Sequence, residues 1–124
     1  MLGPLDVIWI DDDTIRPPGP KMVVCVQAEL GLFFRINTRA GRQTSLSLRK
    51  ESGHAFLHHD SYLECGEPLE LDDYIVEEAL RRRRIVGSVS RSLIPDILRA
   101  VRSARSISEA DKQAIARFLE ASGG

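Results

Sequence analysis

No stretch of this chain stays apolar for more than a few residues, so it holds nothing long enough to cross a membrane as a helix. Cysteine is nearly as scarce. Cys25 and Cys65 are the only two in 124 residues, each alone among strand-forming neighbours and with no CxxC pair, which excludes a zinc ribbon or a dithiol motif. The first six residues have neither the basic start nor the apolar centre of a secretory leader. The expectation is a cytoplasmic protein with two reduced core thiols. An excess of one charge is also missing. The 17 Lys and Arg against 18 Asp and Glu leave a net charge of −1, so any nucleic-acid contact needs a local basic face. Repeats and low-complexity tracts are absent. What is there is an ordinary globular composition, 43% hydrophobic and 28% charged, at a length that suits one domain spanning 1–124 with its own core.

The apolar pattern changes period along the chain. Leu5 to Ile10 reads as a strand, rich in β-prone Val7, Ile8, Trp9 and Ile10 and ended by three aspartates. Three prolines and a glycine between Arg16 and Pro20 make a loop. Met22 to Gln27 is continuously apolar, as a strand buried on both faces would be, and Leu32 to Asn37 follows after a turn at Gly31. Ser45 to Arg49, Ala55 to Leu57, Tyr62 to Cys65 and Ile85 to Val89 read as further short strands, with a helix over Asp73 to Arg82. After Ser92, a plausible N-cap, Ile94, Ile97, Leu98 and Val101 recur at helical spacing, and Pro95 falls in the first turn where its missing N–H is harmless. Ser106 stands three residues before Glu109, the capping-box spacing, ahead of a stripe of Ala114, Ile115, Phe118 and Leu119. That predicts an additional C-terminal helix at about 107–121. Six or seven short strands followed by terminal helices predict an α+β fold, a small β-barrel with C-terminal helices.

Several clusters invite a chemical reading. His58, His59 and Asp60 suggest a metal or acid–base group, but neighbours on a strand point to opposite faces and cannot easily share one ion. Asp11 to Asp13 reads as a charged strand end. We expect no metal and no cofactor. Glu64 to Glu78 contains seven acids and no base, then Arg81 to Arg84 supplies four positive charges. The plain reading is a solvated helix face with Glu77–Arg81 and Glu78–Arg82 pairs; the sharper one has the arginines contacting RNA or an acidic partner segment. Arg35 alternates with Phe34 and Ile36 and should point outward, and Phe33, two residues earlier, reads as a core aromatic.

In order along the chain, several stretches resemble the MazF/PemK family of toxins. Leu5-Asp-Val-Ile-Trp-Ile-Asp11 resembles its first strand, where Leu5-Asp6 replaces the usual Gly-Asp. Gly19-Pro-Lys-Met-Val-Val-Cys-Val-Gln27 resembles its loop and second strand, with Lys21-Met22 in place of Arg-Pro. Phe34-Arg-Ile-Asn-Thr38, Asp60-Ser-Tyr-Leu63 and Ile85-Val-Gly-Ser-Val-Ser90, with the helix after it, resemble later pieces over roughly residues 5–102. The resemblance implies an SH3-like barrel, a homodimer, and metal-independent cleavage of single-stranded RNA silenced by an antitoxin protein. It implies catalytic roles for Lys21, standing where the family has its arginine, and for Thr38. Arg16, Arg35, Arg39 and Arg42 would then meet phosphates. The alternative is a catalytically inactive binding or regulatory module of the same fold, which the lysine at position 21 favours, since it supplies charge without a guanidinium fork.

Overall fold

The computed structural model describes residues 2–12, 19–41 and 43–121. These described residues form seven strands and three helices: β1 (Asp6–Asp12), β2 (Gly19–Gln27), β3 (Leu32–Asn37), β4 (Ser45–Leu48), β5 (Ser61–Glu64), β6 (Leu69–Glu70), α1 (Asp73–Arg82), β7 (Gly87–Ser88), α2 (Ile94–Ser103) and α3 (Glu109–Ala121). All strand pairs are antiparallel, in the order β4-β5-β3-β2-β1-β7, with β6 also on β3. The sheet curls, but its end strands β4 and β7 do not pair among the described residues, so it is a half-barrel carrying helices. The α+β class and the small curled sheet with C-terminal helices agree with the sequence pattern.

Why the sheet holds together is clearest at β2. Met22, Val24 and Val26 turn to one face and Val23 and Cys25 to the other, and all five are buried. On the first face they meet Val7, Phe34, Ile36 and Leu63 from the sheet, Ile97, Leu98 and Val101 from α2, and Ile115 and Leu119 from α3. On the second they meet Ile8, Ile10 and Phe33, covered by Ala79 of α1 and by Leu71. Each fully buried Val, Leu or Phe side chain here contributes roughly 1.5–3 kcal/mol of transfer free energy. These two sides are called below the α2/α3 face and the α1 face.

Local chemistry sets the ends of the elements. Gly31 closes the β2–β3 turn with φ +67°, and a Cβ there would lie 2.4 Å from the Leu71 carbonyl oxygen, so the close crossing of Leu71 needs glycine. Leu5 is a fully buried leucine held at φ 67°. Its N–H donates to the Cys25 carbonyl at 2.8 Å and its own carbonyl accepts from the Val89 N–H at 2.9 Å. That pair of bonds joins β2 to the segment after β7 and holds a backbone conformation that costs a non-glycine residue about 1–2 kcal/mol.

Several expectations need correction. Ala55 to Leu57 is not a strand: it lies in a run of turns, with Leu57 N–H on the His54 carbonyl at 3.0 Å. The strand expected over Ile85 to Val89 shrinks to Gly87–Ser88, and β6 was not expected. Ser92 does not cap α2 directly. Ser90 accepts from the Ser92 N–H and caps a 3-10 turn over Arg91–Leu93, from which α2 starts with Pro95 in its first turn. Nor does Ser106 cap α3; the Ser108 hydroxyl accepts from the Asp111 N–H at 3.1 Å. No described helix is long and apolar enough to cross a membrane.

Candidate functional site

Strand register decides which polar side chains meet. Lys21 is opposite Ile10, and Val23, two residues on, is opposite both Ile8 and Arg35. Lys21 and Arg35 therefore share the α1 face on adjacent strands, both partly exposed. Diagonal neighbours of this kind lie about 7–8 Å apart, within reach of long side chains. On the other side of β3, Asn37 pairs with Tyr62, which pairs in turn with Ser47 of β4. One step along, Glu64 is opposite Ser45 and level with Arg35. The half of the α1 face toward β4 is thus polar, whereas the half under α1 is apolar.

Thr38 and Arg39 follow directly on the end of β3 and are exposed. Thr38 leaves the strand in phase with Phe34 and Ile36, not with Arg35, so alternation brings Lys21 and Arg35 together and sends Thr38 to the rim. Arg16 and Arg42 lie outside the described residues.

Glu64 is the feature sequence reading missed. It was counted in a solvated acidic run, yet it is 7% exposed. Its carboxylate accepts from Thr44 Oγ1 at 2.5 Å, from Ser45 Oγ at 3.1 Å and from the Gly66 N–H at 2.7 Å. Three donors to its two oxygens offset much of the cost of burying the group. Gly66 is required for the approach: a Cβ there would stand 2.4 Å from Thr44 Oγ1 and 2.9 Å from Glu64 Oε2. No local pattern announces this, because Thr44, the residue just before β4, is twenty positions away along the chain.

His54 is the second missed residue. It is 1% exposed, and its Nδ1 lies 2.8 Å from the Arg49 carbonyl while its Nε2 accepts from the Ser90 N–H at 3.0 Å. Those partners fix the neutral tautomer with the proton on Nδ1. Phe56 packs edge-on against the ring at 5.9 Å. His54 ties the β4–β5 connection to the entry of α2. His58 and His59 are exposed; His59 Nδ1 lies 2.9 Å from the Asp60 carbonyl, and no grouping of metal ligands occurs among the described residues.

A groove of about 570 Å³ runs between β1 and α1. Trp9, Asp11 and Pro20 line one side, Tyr74 and Arg81 to Arg83 the other. Tyr74 is 68% exposed. Arg81 pairs with Glu78 and not with the expected Glu77, and Arg82 Nε donates to the same Glu78 at 2.7 Å, as expected. The guanidinium of Arg83 lies 5.7 Å from the centre of the Trp9 ring.

Both cysteines are buried and unpaired. Burial, then the charge of Asp6, pushes the Cys25 thiol up to about 12. Burial, then Glu64, raises Cys65 further. Neither thiol supplies a nucleophile. No family model matches the chain, and no curated protein matches its sequence.

Proposed function

We propose that this protein is a MazF/PemK-type barrel that binds single-stranded RNA on the polar half of the α1 face and cleaves it without a metal. The observation that carries the reading is the placement of Lys21 and Arg35 on one face of adjacent strands, beside Tyr62 and Asn37 and next to exposed Thr38 and Arg39. A second supports the family assignment. Leu5 holds φ 67° at the position where the resembled first strand carries glycine, the residue for which that conformation is free of strain.

In this reading the ribose 2′-oxygen attacks the adjacent phosphorus and expels the 5′-oxygen. The Lys21 ammonium neutralises charge growing on the phosphorane, and Arg35 holds a neighbouring phosphate with its two-pronged guanidinium. Thr38 donates to a phosphate oxygen at the rim. Tyr62 offers a hydroxyl for one of the two proton transfers the reaction needs. Arg39 extends the phosphate path and is the point at which an antitoxin tail would cross. A homodimer and a cytoplasmic location belong to the same proposal.

A second reading, RNA binding without cleavage, is favoured by one specific observation. Both oxygens of Glu64, the carboxyl group on this half of the face, are already engaged by three donors from this chain. Purified protein incubated with mixed RNA in excess EDTA separates the two. The expected result is slow cleavage, faster with Lys21→Arg and reduced about 10²–10³-fold with Lys21→Ala. RNA bound but left intact by both the native protein and Lys21→Arg establishes the binding module instead.

A further inference from the structure

The segment between α1 and α2 is stitched to the rest of the fold through its backbone N–H groups. Val86 donates to the Val7 carbonyl at 3.0 Å and Val89 to the Leu5 carbonyl at 2.9 Å. Ser90, the next residue, donates instead to an imidazole, His54 Nε2, at 3.0 Å. A carbonyl accepts at any pH, whereas an imidazole nitrogen accepts only while it carries no proton. Ser90 also caps the 3-10 turn from which α2 starts. The bond therefore sits at the entry of a helix whose Ile97, Leu98 and Val101 seal the α2/α3 face.

The ring has no room for a second proton without a loss. Nδ1 lies 2.8 Å from the Arg49 carbonyl and carries the hydrogen of that bond, so an added proton enters at Nε2, where the Ser90 N–H points. The residue is 1% exposed. Phe56 packs edge-on against the ring and sits so close over Gly87 that a Cβ there would stand 2.4 Å from the Phe56 ring. The charged residues on the segments around His54 are Arg49, Lys50 and Glu51 of its own turn, Asp60 at the end of that connection, Asp6 of β1 and Arg91 of the 3-10 turn. All but Asp6 are exposed. Asp60 accepts from the Lys50 N–H and Asp6 from Ser88 Oγ, each at 2.8 Å. Main-chain groups take both ring nitrogens, so none of these carboxylates is bonded to the ring to balance an added charge.

We propose that His54 is an acid-sensitive clasp, in which protonation of Nε2 releases Ser90 and frees the entry of α2 from the β4–β5 connection. With the clasp open, the imidazole meets water and holds the proton without loss. With it closed, an imidazolium would be buried facing an N–H. The open state thus binds more protons, so the clasp is closed at neutral pH and weakens as pH falls. This inference does not depend on the RNA reading.

Amide exchange of the native protein, corrected for the intrinsic pH dependence of exchange, tests the clasp. Between about pH 7.5 and about pH 5, within the span where a histidine changes charge, protection at Ser90 should fall about tenfold or more while Val89, bonded to a carbonyl, keeps its own. His54→Gln should abolish the pH dependence at Ser90, since glutamine gains no proton. His58→Gln combined with His59→Gln, both at exposed positions, should leave it unchanged. If His54→Gln does not fold, the contrast between Ser90 and Val89 in the doubly substituted protein decides alone, supporting the clasp where present and overturning it where absent. Equal protection of Ser90 at both pH values, equal losses at Ser90 and Val89, an acid loss that survives in His54→Gln, or one that disappears with His58 and His59, overturns the proposal.

Discussion

The two faces of the sheet are built from the same strands and end up unlike. The α2/α3 face is apolar from Val7 to Leu63 and is sealed by Ile97, Val101, Ile115 and Leu119. The α1 face is apolar only around Ile8, Val23, Cys25 and Phe33, and turns polar at Lys21, Arg35, Tyr62 and Glu64. A strand cannot vary one face without leaving the other intact, since its side chains alternate. The α2/α3 face therefore fixes the fold, and the α1 face is free to carry chemistry. Substitutions on the two should separate stability from function.

The largest effect is expected from Phe34→Ala, which empties a site with 0% exposure on the α2/α3 face. It should cost about 3–5 kcal/mol in urea unfolding, whereas Lys21→Ala on the other face should change stability by less than about 0.5 kcal/mol. His54→Ala comes next. It strips the Ser90 N–H and the Arg49 carbonyl of their partners and should cost about 2–4 kcal/mol, with the loss read as a lower urea midpoint. Gly66→Ala tests the close approach of Glu64 and Thr44 on the polar half-face. Its Cβ would force Thr44 and Glu64 apart, for a loss of about 1–3 kcal/mol.

The smallest effect concerns the thiols. At pH 8 both should resist iodoacetamide in the folded protein and react once urea unfolds it, because burial keeps them protonated. The sign for stability follows. An unfolded Cys25 thiol ionises near its ordinary value of 9.0 and the folded one only near 12, so between those values the folded state holds the extra proton. This contribution is whole below about pH 9 and falls as pH rises toward 12, which a urea series at alkaline pH would record.

Much of this division was readable beforehand. Continuous burial of β2 followed from its unbroken apolar run, and the outward direction of Arg35 from its place between Phe34 and Ile36. The helix over Asp73–Arg82 followed from its own pattern, as did the buried positions of α2 and α3. What escaped depends on partners far along the chain. Glu64 looked like one acid among seven until Thr44, twenty residues earlier, closed on it. His54 looked like a loop residue until Ser90, thirty-six residues later, donated to it. The strand expected over Ala55 to Leu57 failed for a local reason, as the turn at His54 takes the Leu57 N–H. The resemblance gives Lys21 and Thr38 a shared site, and strand phase adds that Lys21 lies with Arg35 while Thr38 follows the end of β3.

The central claim is that chemistry resides on the α1 face at Lys21 and Arg35. Amide and side-chain NMR shifts during titration with a short single-stranded RNA, under conditions that block cleavage, test it most directly. The account predicts changes concentrated at Lys21, Arg35, Thr38, Arg39 and Tyr62, weakening as salt is raised. Changes centred instead on Arg99, Arg102 and Arg117 of the helices over the α2/α3 face would contradict it.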